Sequence, residues 1–223
     1  MTVYNNPFHS GHVYLRIGEH EADGIRPPQF EKLLSEYRRP LQAMVSSNDL
    51  GTVDLLVKSG FILKRRCFEC SFSASDLLFP PEAEAKPLTE TARGSRDYPE
   101  CSRLMYAYYR DTHEPVNPVT ASESEFREAL PASAVYTKAE GIVEAAAFIE
   151  GNEIAYVCSR ALDRFSDFAR SLLAYLFSRY ETVSFEADDT DPAATMLRNM
   201  FSSANGESWD TYIKYPGGGK DAL

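Results

Sequence analysis

The chain has 223 residues, a formal net charge of −10, and a composition that is 43% hydrophobic and 25% charged, ordinary for a globular protein with one large or two small domains. The acidic balance is spread widely with no basic patch, which argues against nucleic acid or an anionic membrane as a partner. No apolar run approaches membrane-spanning length and the first residues lack a charged-then-apolar leader pattern, so the expected location is cytoplasmic.

Taken in order, Asn6-Pro7-Phe8-His9 reads as a turn and His12 to Ile17 as a strand. Gly18 to Pro28 is polar and rich in breakers, a loop. Phe30, Leu33, Leu34 and Tyr37 mark one face of a helix, and Leu41 to Val45 a second strand. Ser46 to Asp49 turns and caps a helix over Val53 to Lys58, which Gly60 closes. Phe61 to Phe72 is a long strand carrying Cys67 and Cys70. That C-x-x-C sits where i and i+3 point to opposite faces, and no second Cys or His pair follows it, so no metal is expected.

Phe79 to Pro87 is a linker of prolines, acidic and small residues. After it come a short strand, Leu88 to Ala92, and a helix from Asp97 or Tyr98 with Cys101, Leu104, Met105, Tyr108 and Tyr109 in register. His113 to Pro118 is a rigid loop, and Ser122 to Leu130 a capped helix. Ala134 to Lys138 and Gly141 to Ile149 form a hairpin around Ala139-Glu140-Gly141. Ile154 to Cys158 is the next strand, and the following helix shows Phe168, Leu172, Leu173, Leu176 and Phe177 on one face. Val183 to Glu186 is a strand, and Asp191-Pro192 caps and starts the next helix. Trp209 and Tyr212 belong to a last strand, and Tyr215 to Leu223 reads as a flexible tail.

The strand–helix–strand from Ile154 to Glu186 is most simply a parallel crossover, with a helix N-terminus placed to hold an anion. The same element order occurs earlier at a constant offset of 142 residues, which lays Tyr14 on Tyr156, Leu34 on Leu176 and Asp49 on Asp191. This order, with Arg164-Phe165-Ser166-Asp167-Phe168-Ala169 in the loop, resembles the acyl-CoA-binding core of the GNAT superfamily of N-acetyltransferases. The resemblance implies an α/β (α+β) fold, a mixed central sheet flanked by helices, with an N-terminal half-repeat. It divides the chain into a partial domain over 1–78, a linker over 79–87, a complete domain over 88–215 and a tail over 216–223.

The family's loop pattern is Arg/Gln-x-x-Gly-x-Gly/Ala, and this chain has Asp167 where the first glycine is usual. A carboxylate there opposes a phosphate; alternatively Asp167 or Ser166 caps the helix. The resemblance implies acetyl-CoA as cosubstrate, held by Val157, Cys158, Ser159, the loop from Arg164 to Ala169, and Asp191. It implies an acceptor amine on a small molecule or peptide near Tyr106, Tyr109 and His113, and a homodimer is an expected assembly. Glu153 and Glu144 are the candidate bases, although both also fit solvated strand edges. The tyrosine that usually follows the closing cap is replaced by Arg198, so a catalytically inactive ligand-binding or interaction module is the alternative reading.

Overall fold

The computed structural model describes residues 1–18, 21–80, 85–202 and 206–217. In chain order the elements are β1 (Thr2–Tyr4), β2 (Val13–Arg16), α1 (Pro27–Tyr37), β3 (Leu41–Ser46), α2 (Leu50–Lys58) and β4 (Ile62–Ser73), then β5 (Thr89–Ala92), α3 (Tyr98–His113) and α4 (Glu123–Ala129). They continue with β6 (Ser133–Ala139), β7 (Ile142–Glu150), β8 (Glu153–Ser159), α5 (Phe165–Phe177), β9 (Thr182–Asp188), α6 (Pro192–Arg198) and β10 (Ser208–Lys214). The chain divides into two compact units. Unit one is Met1–Cys67, His113–Ala121 and Glu207–Leu223; unit two is Phe68–Thr112 and Ser122–Gly206.

Within unit one the strand order is β1-β2-β3-β10-β4. β2 and β3 are parallel, joined through α1, and β10 runs antiparallel to β3 from Trp209↔Ser46 to Lys214↔Leu41. Val13, Leu15, Leu41, Ala43 and Val45 face Phe30 and Leu34 of α1 and Leu56 of α2. Local chemistry sets the helix ends. Asp49 accepts the Thr52 N–H at 3.0 Å, so α2 starts three residues before the apolar pattern does. Gly60 follows α2 at φ +81°, where a Cβ would be strained. The tail expected over 216–223 lies mostly outside the described residues, and β1, a three-residue strand pairing with β2, precedes the turn read at Asn6-Pro7-Phe8-His9, in a stretch to which the sequence reading assigned no element.

Unit two has the order β4-β9-β8-β7-β6-β5. The hairpin of β6 and β7 turns on Glu140 (φ +53°) and Gly141 (φ +82°), the two positive angles that match strand twist. Ser122 and Glu125 form a capping box at the start of α4. α5 buries Phe165, Phe168, Ala169, Leu172, Leu173 and Leu176 against β6–β9 and α6, while Phe177 is only partly covered. Each large apolar side chain so buried stabilises by about 1.5–3 kcal/mol. Phe72 of β4 stacks on Phe201 at 4.2 Å and closes this core. The other sheet face carries α3, where Tyr98 meets Phe148 edge-on at 5.6 Å. α3 runs through His113, one residue into the expected loop. No helix among the described residues is long and apolar enough to cross a membrane.

Candidate functional site

The site begins with two strands that part. β8 and β9 are parallel, but their ladder comprises only Glu153↔Ser184 and Ile154↔Phe185, while β8 runs on to Ser159 and β9 to Asp188. On its other side β8 stays paired to β7 as far as Ala145↔Ser159, with a register shift between Phe148 and Ile149 that leaves Ala155 as the extra residue. A bulge of this kind bends and twists one strand. β8 therefore turns away from β9 just where the pairing stops. A wedge opens between the carboxyl ends of two parallel strands, the place where ligands bind in open sheets.

The bulge also sorts the side chains. Ile154 and Val157 point into the core under α5, while Tyr156 packs on the α3 and α4 side against Tyr109 (6.1 Å) and Phe126 (5.8 Å). Cys158 is fully buried, and burial pushes its thiol far up; burial likewise pushes Cys101 on α3 up to about 12. Both stay protonated at neutral pH, so neither supplies a nucleophilic thiolate. All four cysteines, Cys67 and Cys70 included, are buried thiols. Among the described residues no group of three or more His, Cys, Asp or Glu could hold a metal ion.

At the mouth of the wedge Ser159 makes a tight turn. Its hydroxyl accepts the Ala161 N–H at 3.0 Å and donates to the Ala161 carbonyl at 3.1 Å. α5 follows with no side-chain cap, and Arg164 sits at its N-cap position. Phe165, Phe168 and Ala169 of the loop motif are buried, Ser166 is half-buried and Asp167 is exposed. Asp167 does not cap the helix with its carboxylate. Lys86, just before β5, donates to it from Nζ at 2.9 Å, which holds its carboxyl below the usual range. The Lys86 N–H also donates to Ser171 Oγ at 2.9 Å, which in turn donates to the Asp167 carbonyl. The charge that would oppose an anion at this helix end thus has a cationic partner beside it.

On the other side of the mouth, Asp191 caps α6 by accepting the Ala194 N–H at 3.0 Å. Tyr108 of α3 reaches the same point, donating to Asp191 and accepting the Ala193 N–H. Arg198, two turns further along α6, stacks on Phe68 of β4 at 3.5 Å.

The candidate bases fall at different places. Glu144 of β7 is ion-paired to Arg164, so one expected base holds the arginine expected to meet phosphate. Glu153 is exposed at the amino end of β8, about 20 Å along the strand from Ser159. Tyr106 and Tyr109 both pack on Phe126, at 5.6 and 4.8 Å, beside Tyr156. His113 lies instead in unit one, stacked on His9 at 5.2 Å, with its carbonyl accepting the Val116 and Asn117 N–H groups. Sequence reasoning assigned no role to Lys86, Phe126 or Tyr156. Tyr156 had one available signal, an aromatic in the strand before the phosphate loop; Lys86 sits in a linker whose composition gives none.

No family model matches the chain, and no curated protein matches it. Solved structures do. A GCN5-related N-acetyltransferase from Sphaerobacter thermophilus superposes with a TM-score of 0.56 at 12% identity, over 95% of this chain and 75% of that one. A tandem GNAT protein from the clavulanic acid biosynthesis pathway gives 0.52 at 11% identity, over 93% and 76%. A conserved protein of unknown function from Staphylococcus epidermidis gives 0.54 at 10% identity, over 92% and 84%. The chain has the GNAT fold, a mixed sheet flanked by helices.

Proposed function

We propose that the chain is an acyl-CoA-dependent N-acyltransferase that moves an acetyl group from acetyl-CoA to the amine of a small molecule or peptide. The observation that carries this reading is the parting of β8 from β9 after Ile154↔Phe185. From Ala155 to Ser159 the edge of β8 that faces the wedge has no ladder partner on β9, and main-chain groups in that position seek hydrogen bonds. A pantetheine arm, extended and carrying two amides, offers them in the manner of an added strand. The amides at the start of α5, apart from that of Phe165, which donates to the Leu162 carbonyl, then suit a pyrophosphate, with Lys86 adding positive charge and offsetting Asp167. Val157, Cys158 and Ser159 contribute through the backbone, and Asp191 marks the far lip of the wedge.

The reaction is direct transfer. The acceptor nitrogen attacks the thioester carbonyl, the C–N bond forms, the C–S bond breaks, and the thiol leaves as thiolate. The proton lost by the amine passes to water or to a carboxylate; Glu153 is the candidate base whose carboxylate is exposed, while Glu144 is engaged by Arg164. Backbone N–H groups of β8 are the donors available to a developing oxyanion. The protonated state of Cys158 and Cys101 favours this route over a covalent acyl-cysteine. Tyr106 and Tyr109 flank the acceptor side in this reading.

Calorimetric titration with acetyl-CoA, followed by thiol release across a panel of amines, tests it. Micromolar binding with turnover is the expected result. No binding at millimolar ligand overturns it. Binding without turnover supports a second reading, a non-catalytic GNAT-like module, which is favoured by Tyr108 spanning the mouth and by Arg198 being turned onto Phe68.

A further inference from the structure

Unit two has a second concavity, at the opposite end of α5 from the wedge. It is a cleft of about 440 Å³ between the edge strand β5, the hairpin β6–β7 and the last turn of α5, within the usual range for small-molecule pockets. α5 is 13 residues long, so the cleft lies about 20 Å from the helix N-terminus. It is separate from the site proposed above, and nothing in the transfer reaction uses it.

Its lining has a definite chemical order. Ile149, partly buried, gives the floor its accessible apolar surface, with Val135 and Leu176 packed beneath it in the core. Glu90 and Arg179 stand side by side at the rim, 3.4 Å apart. The guanidinium is held in place from two directions, stacked on the Tyr175 ring at 3.7 Å and donating from Nη1 to the Tyr175 carbonyl at 3.0 Å. Nη1 also donates to Ser178 Oγ at 3.0 Å, Nη2 donates to Glu90 Oε1 at 3.4 Å, and the Tyr175 hydroxyl donates to the same Glu90 carboxylate. The Arg179–Glu90 separation is longer than the 2.7–2.9 Å of a tight charge-assisted pair. The carboxyl end of α5 adds the negative pole of the helix on the same side.

These features select among ligand charges. A simple anion at Arg179 would face Glu90, and a simple cation at Glu90 would face Arg179. A neutral apolar molecule would cover both charges and return no hydrogen bond to either. A ligand with a carboxylate and an ammonium on one carbon satisfies both and leaves its side chain over Ile149. We propose that this cleft binds a free α-amino acid with an apolar or aromatic side chain, its carboxylate on Arg179 and its ammonium on Glu90 and the carboxyl end of α5.

The test uses the full chain with L-phenylalanine and L-leucine as probes, read by calorimetry. The controls are phenethylamine, 3-phenylpropanoate and N-acetylphenylalanine amide, which keep the ring and lose one or both charges. The expected result is saturable binding of the amino acids, with the three controls weaker by about tenfold or more. Glu90→Gln and Arg179→Met each weaken the amino acids by a similar factor; both positions are largely exposed, so the variants keep the fold, which circular dichroism checks. No binding at millimolar amino acid, equal binding of an uncharged control, or unchanged affinity in both variants overturns the proposal. Acetyl-CoA titration of the same samples reports separately on the wedge, so failure at either site is distinguishable from failure at the other.

Discussion

The Tyr108 hydroxyl donates to Asp191 Oδ1 at 2.6 Å while accepting the Ala193 N–H at 3.0 Å. One side chain from α3 thereby completes the first turn of α6 across the mouth of the β8–β9 wedge. Tyr108 packs against the core under α5 and α6, although its helix lies on the other sheet face. Burial, then the Asp191 charge, pushes its phenol far above the usual range. Tyr108→Phe keeps the ring and deletes the bond, leaving a buried carboxylate short of one donor. The expected cost is about 1–3 kcal/mol in urea unfolding. A loss well under 1 kcal/mol would show that water replaces the hydroxyl without penalty.

Asp191 makes a pH prediction of defined sign. Burial raises its carboxyl above the ordinary value, outweighing the Tyr108 and Ala194 hydrogen bonds that lower it. A raised folded value means the folded state binds the proton more tightly than the unfolded chain does. Its contribution is therefore fully present below the unfolded carboxylate range, near pH 4, and is lost as pH rises through the folded value. Asp191→Asn is neutral throughout. The stability of the unmodified chain relative to Asp191→Asn should fall as pH rises from about 4 toward neutrality. A difference that grows with pH would reverse the assignment.

Lys86 and Asp167 give a coupled prediction for acetyl-CoA. Lys86→Met removes the ion-pair partner of the Asp167 carboxylate beside the α5 N-terminus and leaves only the weaker influence of Arg170. Affinity should drop by about twofold to fivefold, the scale of one exposed charge pair. Asp167→Asn in the Lys86→Met background should restore it. If the double variant binds no better than Lys86→Met alone, the carboxylate does not act on the ligand.

Leu172 is fully buried at the centre of the α5 core. Leu172→Ala should cost about 2–5 kcal/mol, measured as a lowered urea midpoint at unchanged slope. A cost near 1 kcal/mol would mean that the core collapses around the cavity.

Most of the elements were legible because the information is local. The 3.6-residue spacing of Phe168, Leu172 and Leu176 defines α5, and the cap chemistry of Asp49, Ser122 and Asp191 fixes three helix starts. The parallel pairing of β8 with β9 was legible from the strand–helix–strand spacing, but the wedge depends on where their ladder ends, which side-chain alternation does not report. Tyr108 and Tyr109 show how narrow the margin was. They are adjacent in sequence, yet about 100° apart around α3, so one reaches Asp191 and the other packs on Phe126 and Tyr156. The pairing of Glu144 with Arg164 joins positions from β7 and the α5 start, and no spacing rule connects them. His113 sat next to the aromatic run in sequence, but folds with unit one because the segment after α3 leaves unit two.

The antiparallel pairing of β10 with β3 bears on how the chain emerges from the ribosome. Ser208 and Ser47, bonded at the end of that ladder, are 161 residues apart in sequence. Unit two lies almost wholly between them, so its strands are available for pairing before unit one's sheet can be completed. Until Ser208–Lys214 arrives, β3 keeps an open edge on which strands of another nascent chain could pair. The loop to be closed is long, which slows the last step. Synthesis should therefore pass through a state with one unit formed and the other waiting, and that state is where a chaperone that shields strand edges would act.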